Sequence, residues 1–354
     1  MTGGTALPDR IAVRLETRSN GGSTTISPFR SFSRIMARLF TPLLTLLVCS
    51  SAMAADPTVK VFVLAGQSNM QGHGRIVAEE ERNQGKGSLE WLATRPGSEP
   101  RFQSLLDDEG NWIARDDVQI HYLDRSGNLA PGFGAREGLI GPELGFGHVV
   151  GEAFDEPVLL IKIAWGGKSL GVDFRPPSSG GETGPYYRDI VRLTQESLQT
   201  AKDRFPQYDR HELELVGFGW HQGWNDRINQ ELNDAYEENM ANFIRDIRRD
   251  FGVENMPFVI AETGMSGRTE AHPRALSLMK AQAAVAEKPE FRGNVAFVGT
   301  RDFFRPREES PSGQAYHWNS NAETYYLIGE SMGKAMLELI AMDQPAKVEV
   351  GSGH

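Results

Sequence analysis

The sequence predicts a three-layer α/β/α domain built around a central parallel sheet. The first observation is a set of five short apolar runs, at residues 59–65, 158–164, 213–220, 257–261 and 295–299. They are rich in Val, Ile and Phe and lack clear alternation, as strands buried on both faces do. The second is a series of stretches with helical pattern at 142–154, 187–205, 229–251, 273–287 and 321–342, set off by Gly and Pro. Strands alternating with helices in this way belong to a doubly wound sheet covered on both faces. Two segments break the rhythm. Residues 75–140 hold many charges and weak strand or helix signals, and residues 173–184 are rich in Pro, Gly and Ser. Both follow strand ends, where the loops of such a fold line the ligand crevice.

The chain has 354 residues, and its start reads differently from the rest. Arg34 and Arg38 precede the apolar run 39–48, and Ala52-Met53-Ala54 is a small-x-small cleavage site, so residues 1–55 read as an N-terminal extension and a secretory signal starting near Met36. The run is short of the roughly 20 residues a membrane crossing needs. A single large α/β domain is expected at 56–343, with a frayed tail at 344–354. Residues 1–54 carry six arginines and two acids, so their removal takes the formal charge from −10 to −14. Such an acidic domain is a poor partner for nucleic acid or an anionic membrane. The single cysteine, Cys49, lies in the signal, which excludes a Cys nucleophile, a disulfide or a thiolate metal site from the exported part.

In an open parallel sheet the chemistry gathers at the carboxyl ends of the strands. The first strand here runs into Gly66-Gln67-Ser68-Asn69-Met70, the second into Trp165-Gly166-Gly167-Lys168-Ser169, and the third into Trp220-His221-Gln222-Gly223-Trp224-Asn225-Asp226. Tyr316-His317-Trp318-Asn319 comes just before the last helix. A serine hydroxyl needs a base to accept its proton, and a tetrahedral intermediate needs donors for its oxyanion. Ser68 offers the hydroxyl and its own N–H, Gly166 or Gly167 a second N–H, and Gln222 or Asn225 a side-chain amide. Each piece alone has an ordinary reading: Ser68-Asn69 as a helix cap, Gly166-Gly167 as a turn, His221 as a structural histidine. Convergence of three strand ends and a late histidine on one crevice is harder to explain as structure alone.

These four blocks, with Ala322-Glu323 after the last, resemble the signature blocks of the sialate O-acetylesterase-like, carbohydrate esterase family 6 branch of the SGNH hydrolases. The resemblance runs over residues 59–342. It implies a flavodoxin-like sheet and removal of O-acetyl groups from carbohydrate without metal or other cofactor. It further implies Ser68 as nucleophile, Gly167 or Gly166 and Gln222 as oxyanion donors, and His317 as base. Gln67, Asn69, His221, Trp224 and Trp318 are expected to face the substrate, with Trp165 and Tyr316 as further aromatic surfaces. The chain departs from the family pattern twice. Gln314 stands where an Asp usually orients the histidine, and Trp224 stands where many members have Glu. Asp226 matches an acid of the third block and is the expected orienting carboxylate, with a helix cap near Asn229 as its other reading. Lys168 and Arg175 are expected to meet an acidic group of the substrate, or else to be solvated loop charges. His73 reads as a surface loop residue.

The expected function is therefore an exported serine esterase acting on acetylated xylan or sialate-like carbohydrate through an acetyl-Ser68 intermediate. Its expected partner is that carbohydrate, with neither nucleic acid nor, after signal cleavage, membrane. The neutral residue at 314 leaves a second reading, a catalytically lapsed carbohydrate-binding protein on the same fold. A metal-dependent deacetylase or phosphoesterase has thin support, because no metal-ligand spacing surrounds His73, His221 or His317.

Overall fold

The computed structural model describes residues 57–343. The leader expected at 1–55 and the tail at 344–354 lie outside the described residues. The strands are β1 (Thr58–Gly66), β2 (Gly74–Arg75), β3 (Arg115–Tyr122), β4 (Arg125–Leu129), β5 (Leu139–Ile140), β6 (Val158–Ala164), β7 (Glu212–His221), β8 (Phe258–Ala261) and β9 (Val295–Val298). The helices are α1 (Ser68–Gln71), α2 (Leu89–Thr94), α3 (Pro100–Gln103), α4 (Pro142–Ala153), α5 (Pro185–Arg204), α6 (Trp224–Arg227), α7 (Gln230–Asp234), α8 (Tyr236–Phe251), α9 (Pro273–Ala286) and α10 (Ala322–Asp343).

Seven strands form one sheet in the order β4-β3-β6-β1-β7-β8-β9, parallel throughout except for β4 against β3. β1 lies at the centre, with Gly66 level with Ala164 on one side and His221 on the other. That register brings the carboxyl ends of β1, β6 and β7 to one line, as the ligand rule for such sheets requires.

The pleat sorts β1 between two cores. Phe62 and Leu64 pack with Leu144, Phe146 and Val150 of α4 and Met332 and Met336 of α10. Val61, Val63 and Ala65 pack with Ile190 of α5, Phe243 and Ile247 of α8 and Leu278 of α9. Both faces of the strand are thus apolar, which is why it shows no alternation. Truncating a side chain such as Phe62 to Ala would cost about 3–5 kcal/mol. α4 and α10 cross so closely that a Cβ on Gly329 would stand 1.9 Å from the Pro142 carbonyl oxygen.

The structure departs from the sequence reading in two places. Residues 75–140 contain a hairpin, β3–β4, that extends the sheet. β4 carries Arg125, Ser126 and Asn128 on an edge and alternates half-buried with exposed residues, so it lacks the apolar signature of the inner strands. The helix expected over 229–251 is two helices, α7 and α8, meeting at Ala235. At the restart Tyr236 is drawn into the core, where its hydroxyl donates to the Gln222 carbonyl at 2.9 Å.

Candidate active site

Gly66 closes β1 at φ +153°, and a Cβ there would lie 2.3 Å from the His221 carbonyl oxygen. Only glycine fits so tight a passage. The chain then turns into α1, whose first residue is Ser68. Gln67, Asn69 and Met70 are buried, and Ser68 alone of this group is partly exposed. Gln67 braces the next strand end: its Oε1 accepts from Gly223 N at 2.9 Å and its Nε2 donates to Asn225 Oδ1 at 3.3 Å. Below α1, Lys162 Nζ donates to the Gln71 carbonyl at 2.7 Å, to the Phe133 carbonyl at 2.7 Å and to Glu143 Oε2 at 2.6 Å. Glu143 Oε1 in turn accepts from Gly141 N. Burial pulls the Lys162 ammonium down to about 8, against the pull of Glu143. Removing one member of such a buried pair costs about 3–5 kcal/mol, so this clamp fixes the floor under the nucleophile turn.

The loop after β6 touches that turn. A Cβ on Gly166 would come within 3.7 Å of the Ser68 Cβ. The N–H groups of Ser68, Gly166 and Gly167 make no backbone hydrogen bond among the described residues. Gln222, expected as an oxyanion donor, is wholly buried, and its Nε2 donates to Asp226 Oδ2 at 2.6 Å and to the Lys168 carbonyl at 3.0 Å. Both amide hydrogens are thereby used. Asn225 is half-buried, and because its Oδ1 is held by Gln67 its Nδ2 is left unengaged. Among the described residues, the side-chain amide of these two that stays unengaged is that of Asn225.

Asp226 is the hub of the same loop. Its carboxylate accepts from Leu170 N and Gly171 N, both at 2.8 Å, and from Gln222. Burial raises its pKa to about 6, opposed by those hydrogen bonds. No hydrogen bond or ion pair joins Asp226 to His317 among the described residues, so the carboxylate expected to orient the base instead ties down the loop that carries Gly166 and Gly167. Nor is it a cap: Asn229 Oδ1 takes the Leu232 N–H at the start of α7.

His317 sits in the irregular segment Ala315–Ser320, where Trp318, Asn319 and Ser320 have φ of 51°, 55° and 57°. Non-glycine residues hold this left-handed conformation only when their surroundings impose it. Here Asn319 Nδ2 donates to the Arg305 carbonyl at 3.0 Å. Asn69 Nδ2 donates to the Tyr316 carbonyl at 3.2 Å, and Tyr325 Oη donates to Asn69 Oδ1 at 2.9 Å, so the nucleophile turn and the base segment share a brace. Asn69 is a strut rather than a substrate contact. The His317 imidazole is half-buried, and desolvation pulls its pKa to about 4, which keeps it neutral and able to accept a proton. Its ring makes no hydrogen bond among the described residues. Gln314 is exposed and reaches His317 through its carbonyl, which accepts from His317 N at 2.8 Å, not through its amide. His73, expected at the surface, is half-buried and stacks on the base with ring centroids 3.7 Å apart and planes 7° from parallel.

Two expected substrate contacts lie in the interior. Trp318 is wholly buried in the α4–α10 core, where its large apolar ring is worth most. His221 is also wholly buried, drawn down to about 4 by desolvation; the Glu262 and Asn69 carbonyls lie nearby, yet neither ring nitrogen completes a hydrogen bond. Trp224 and Tyr316 do reach the site, 5.8 Å apart, with Tyr316 42% exposed. Beside His317 opens a cavity of about 440 Å³ lined by His73, Arg75, Arg82, Arg136 and Gln314 among others. Arg75 and Arg82 both pair with Glu79, while Arg136 is exposed and in no ion pair among the described residues. These arginines, not Lys168, are the cations at the base: Lys168 pairs with Asp173 at 3.6 Å and lies over the Tyr186 ring. Arg75 and Arg82 are near in sequence, but Arg136 joins them only through the β2–β5 ribbon, so no local motif marks the set. No group of three or more His, Cys, Asp or Glu placed to hold a metal occurs among the described residues.

A central, mostly parallel sheet with helices on both faces and a serine on the turn after its central strand is the three-layer α/β/α fold of the SGNH type. The chain belongs to the carbohydrate esterase, sialic acid-specific acetylesterase family, whose model matches residues 58–338. A protein of known structure from Arabidopsis thaliana shares the fold at TM-score 0.53 and 17% identity, over 79% of this chain and 98% of its own. NanS aligns at 0.49 and 15%, over 80% and 98%. A carbohydrate acetylesterase from Xanthomonas citri aligns at 0.48 and 13%, over 79% of this chain and 56% of that one. The comparison with curated proteins found no match.

Proposed function

We propose that this protein is an exported esterase that removes O-acetyl groups from an acidic carbohydrate through an acetyl-Ser68 intermediate. The observation that carries the reading is the partly exposed Ser68 beside Gly166, on a turn where the N–H groups of Ser68, Gly166 and Gly167 are unengaged among the described residues. Neutral His317 takes the Ser68 proton as Oγ attacks the acetyl carbonyl. The tetrahedral oxyanion is met by the N–H of Ser68, by Gly166 or Gly167 and by Asn225 Nδ2. His317 returns the proton to the departing sugar oxygen, then takes one from a water that attacks the acetyl carbon, and hands it to Ser68 Oγ as the acyl–oxygen bond breaks and acetate leaves.

Three arginines about one cavity, of which Arg136 is in no ion pair among the described residues, favour a substrate with a carboxylate, such as an acetylated sialate or uronic acid, over neutral xylan. Tyr316 and Trp224 offer ring faces to the sugar. Export rests on the Arg34–Ala55 leader pattern.

Acetate release from O-acetylated sialates, acetyl xylan and p-nitrophenyl acetate tests the reading. Turnover of the acidic sugar with the highest kcat/KM, lost on treatment with a serine-directed inhibitor, is the expected result. The unbonded His317 ring favours one rival, a lapsed enzyme that still binds sugar. Sugar binding by the mature protein without acetate release would establish that rival.

A further inference from the structure

We propose that His73 is the positioning residue of the catalytic base: stacked face to face on His317, it holds the imidazole plane that no carboxylate holds here and keeps water from that face. The proposal rests on the reading of His317 as the base. A serine hydrolase usually fixes the histidine through a hydrogen bond to its second ring nitrogen. Among the described residues the His317 ring has no such bond, and its segment is irregular. A ring held at one atom only turns freely, because the terminal χ2 torsion of histidine is broad. A parallel neighbour at 3.7 Å and 7° removes that freedom without any charge, leaving only the flipped orientation as an alternative.

His73 is itself well placed to act as a wall. It directly precedes β2, whose Gly74 pairs with Ile140 of β5 and lies against Ala322 at the start of α10. Its backbone faces the buried Tyr325 hydroxyl, which also holds Asn69 beside the nucleophile. Its buried Nε2 has no hydrogen-bond partner, so packing alone sets the ring. The Tyr316 ring packs against His317 at 4.4 Å. The charged groups that face the pair are cations: Arg75, Arg82 and Arg136 line the cavity, and Lys162 acts from below. Desolvation first, then His317, Arg136 and Lys162, draw His73 down to about 3, so it stays neutral and leaves the single proton of the cycle to His317.

The test compares the mature protein with His73→Ala, His73→Leu and His73→Phe, each checked for folding by thermal melting. Two readouts are taken: kcat and KM on p-nitrophenyl acetate and on an O-acetylated sugar, and the NMR titration of the His317 ring. Positioning through an aromatic face predicts a kcat loss of about 10- to 100-fold in Ala and Leu on both esters, since misplacing a reacting group by an ångström costs on that order. The phenyl ring should restore kcat to within about fivefold, because it keeps the stack. In Ala the His317 midpoint should rise from about 4 toward the free value of about 6.5, and in Phe it should stay low. Ala and Leu within about threefold of the parent, or Phe as slow as Ala, would overturn the proposal. So would an unchanged His317 titration in all three. A loss confined to the sugar ester and seen in KM would make His73 a substrate contact instead. Should the parent hydrolyse no ester, the esterase reading fails on its own, and the titration still decides whether His73 holds His317.

Discussion

The proposed nucleophile and the proposed base rest on two different kinds of structure. Ser68 follows the central strand of a seven-stranded sheet, above a buried lysine clamp and beneath two glycine amides. His317 rests on an irregular segment with three consecutive left-handed residues, held by side-chain amides together with short turn bonds such as that from His317 N to the Gln314 carbonyl. The nucleophile is positioned by regular structure, whose geometry any well-packed sheet supplies. The base is positioned by individual side chains, above all Asn69, Asn319 and, as proposed, His73. Small changes in the second half should therefore alter chemistry without altering the fold, while changes in the first half disturb both.

The largest effect tests whether the two halves act as one. Ser68→Ala and His317→Ala should each lower kcat by about 10⁴-fold or more, with the double variant little slower than either. A much smaller loss for His317→Ala, measured by steady-state kinetics on p-nitrophenyl acetate, would break the comparison, because the second half would then carry no catalysis.

Asn225→Ala sharpens the first half. As an oxyanion donor it should cost about 10²- to 10³-fold in kcat with little change in melting temperature. Gln222→Ala, which strips one bond from Asp226 and one from the Lys168 carbonyl, should show mainly as lost stability, on the order of 1–3 kcal/mol. The reverse pattern would return the donor role to Gln222.

Acid should weaken the first half through His221. Its folded pKa, about 4, lies below the unfolded value of about 6.5, so the unfolded chain binds the proton more readily between them. The stabilisation is complete above about pH 6.5 and is lost as the pH falls toward 4, to the extent of about 3 kcal/mol. Asp226, raised to about 6, works the other way, since the folded state takes its proton first. The two shifts are of similar size, so this pair leaves the parent little slope, and urea midpoints between pH 7 and pH 4.5 should fall more in Asp226→Asn and less in His221→Gln than in the parent.

The smallest effect belongs to the second half. Ser320→Gly relieves a left-handed residue at the cost of chain entropy and of a 3.3 Å contact between Ser312 and Ser320. The expected change in stability is under about 1 kcal/mol, and kcat should hold, as thermal melts and initial rates will show.

The same contrast explains what the sequence reveals. Strands β1, β6, β7 and β8 are legible because they run through the middle of the sheet, the edge strand β9 because its four residues are all apolar, and Ser68 with Gly166 and Gly167 because the turn chemistry is local. The edge hairpin β3–β4 is not legible, since strand residues such as Arg115, Asp117 and Arg125 answer to solvent rather than to the core. Asp226 reads as an acid near the crevice, but its partners, two amides 55 and 56 residues away, are set by tertiary packing alone. His73 and the arginines beside His317 escape for the same reason. Trp318 carries the opposite lesson: adjacency to a catalytic residue says nothing about which way a side chain faces.

The brace between Asn69 and Tyr316 joins residues 247 positions apart. Closing so long a loop is slow relative to local contacts, and here it waits on α10 docking against α4 through the Gly329 crossing. The amino-terminal half can lay down β1 and its nucleophile turn while the rest of the chain is still being made, yet it holds no base to pair with it. Esterase activity should therefore be the last property regained on refolding, behind secondary structure and core fluorescence, and a chain cut before α10 should bear Ser68 in silence.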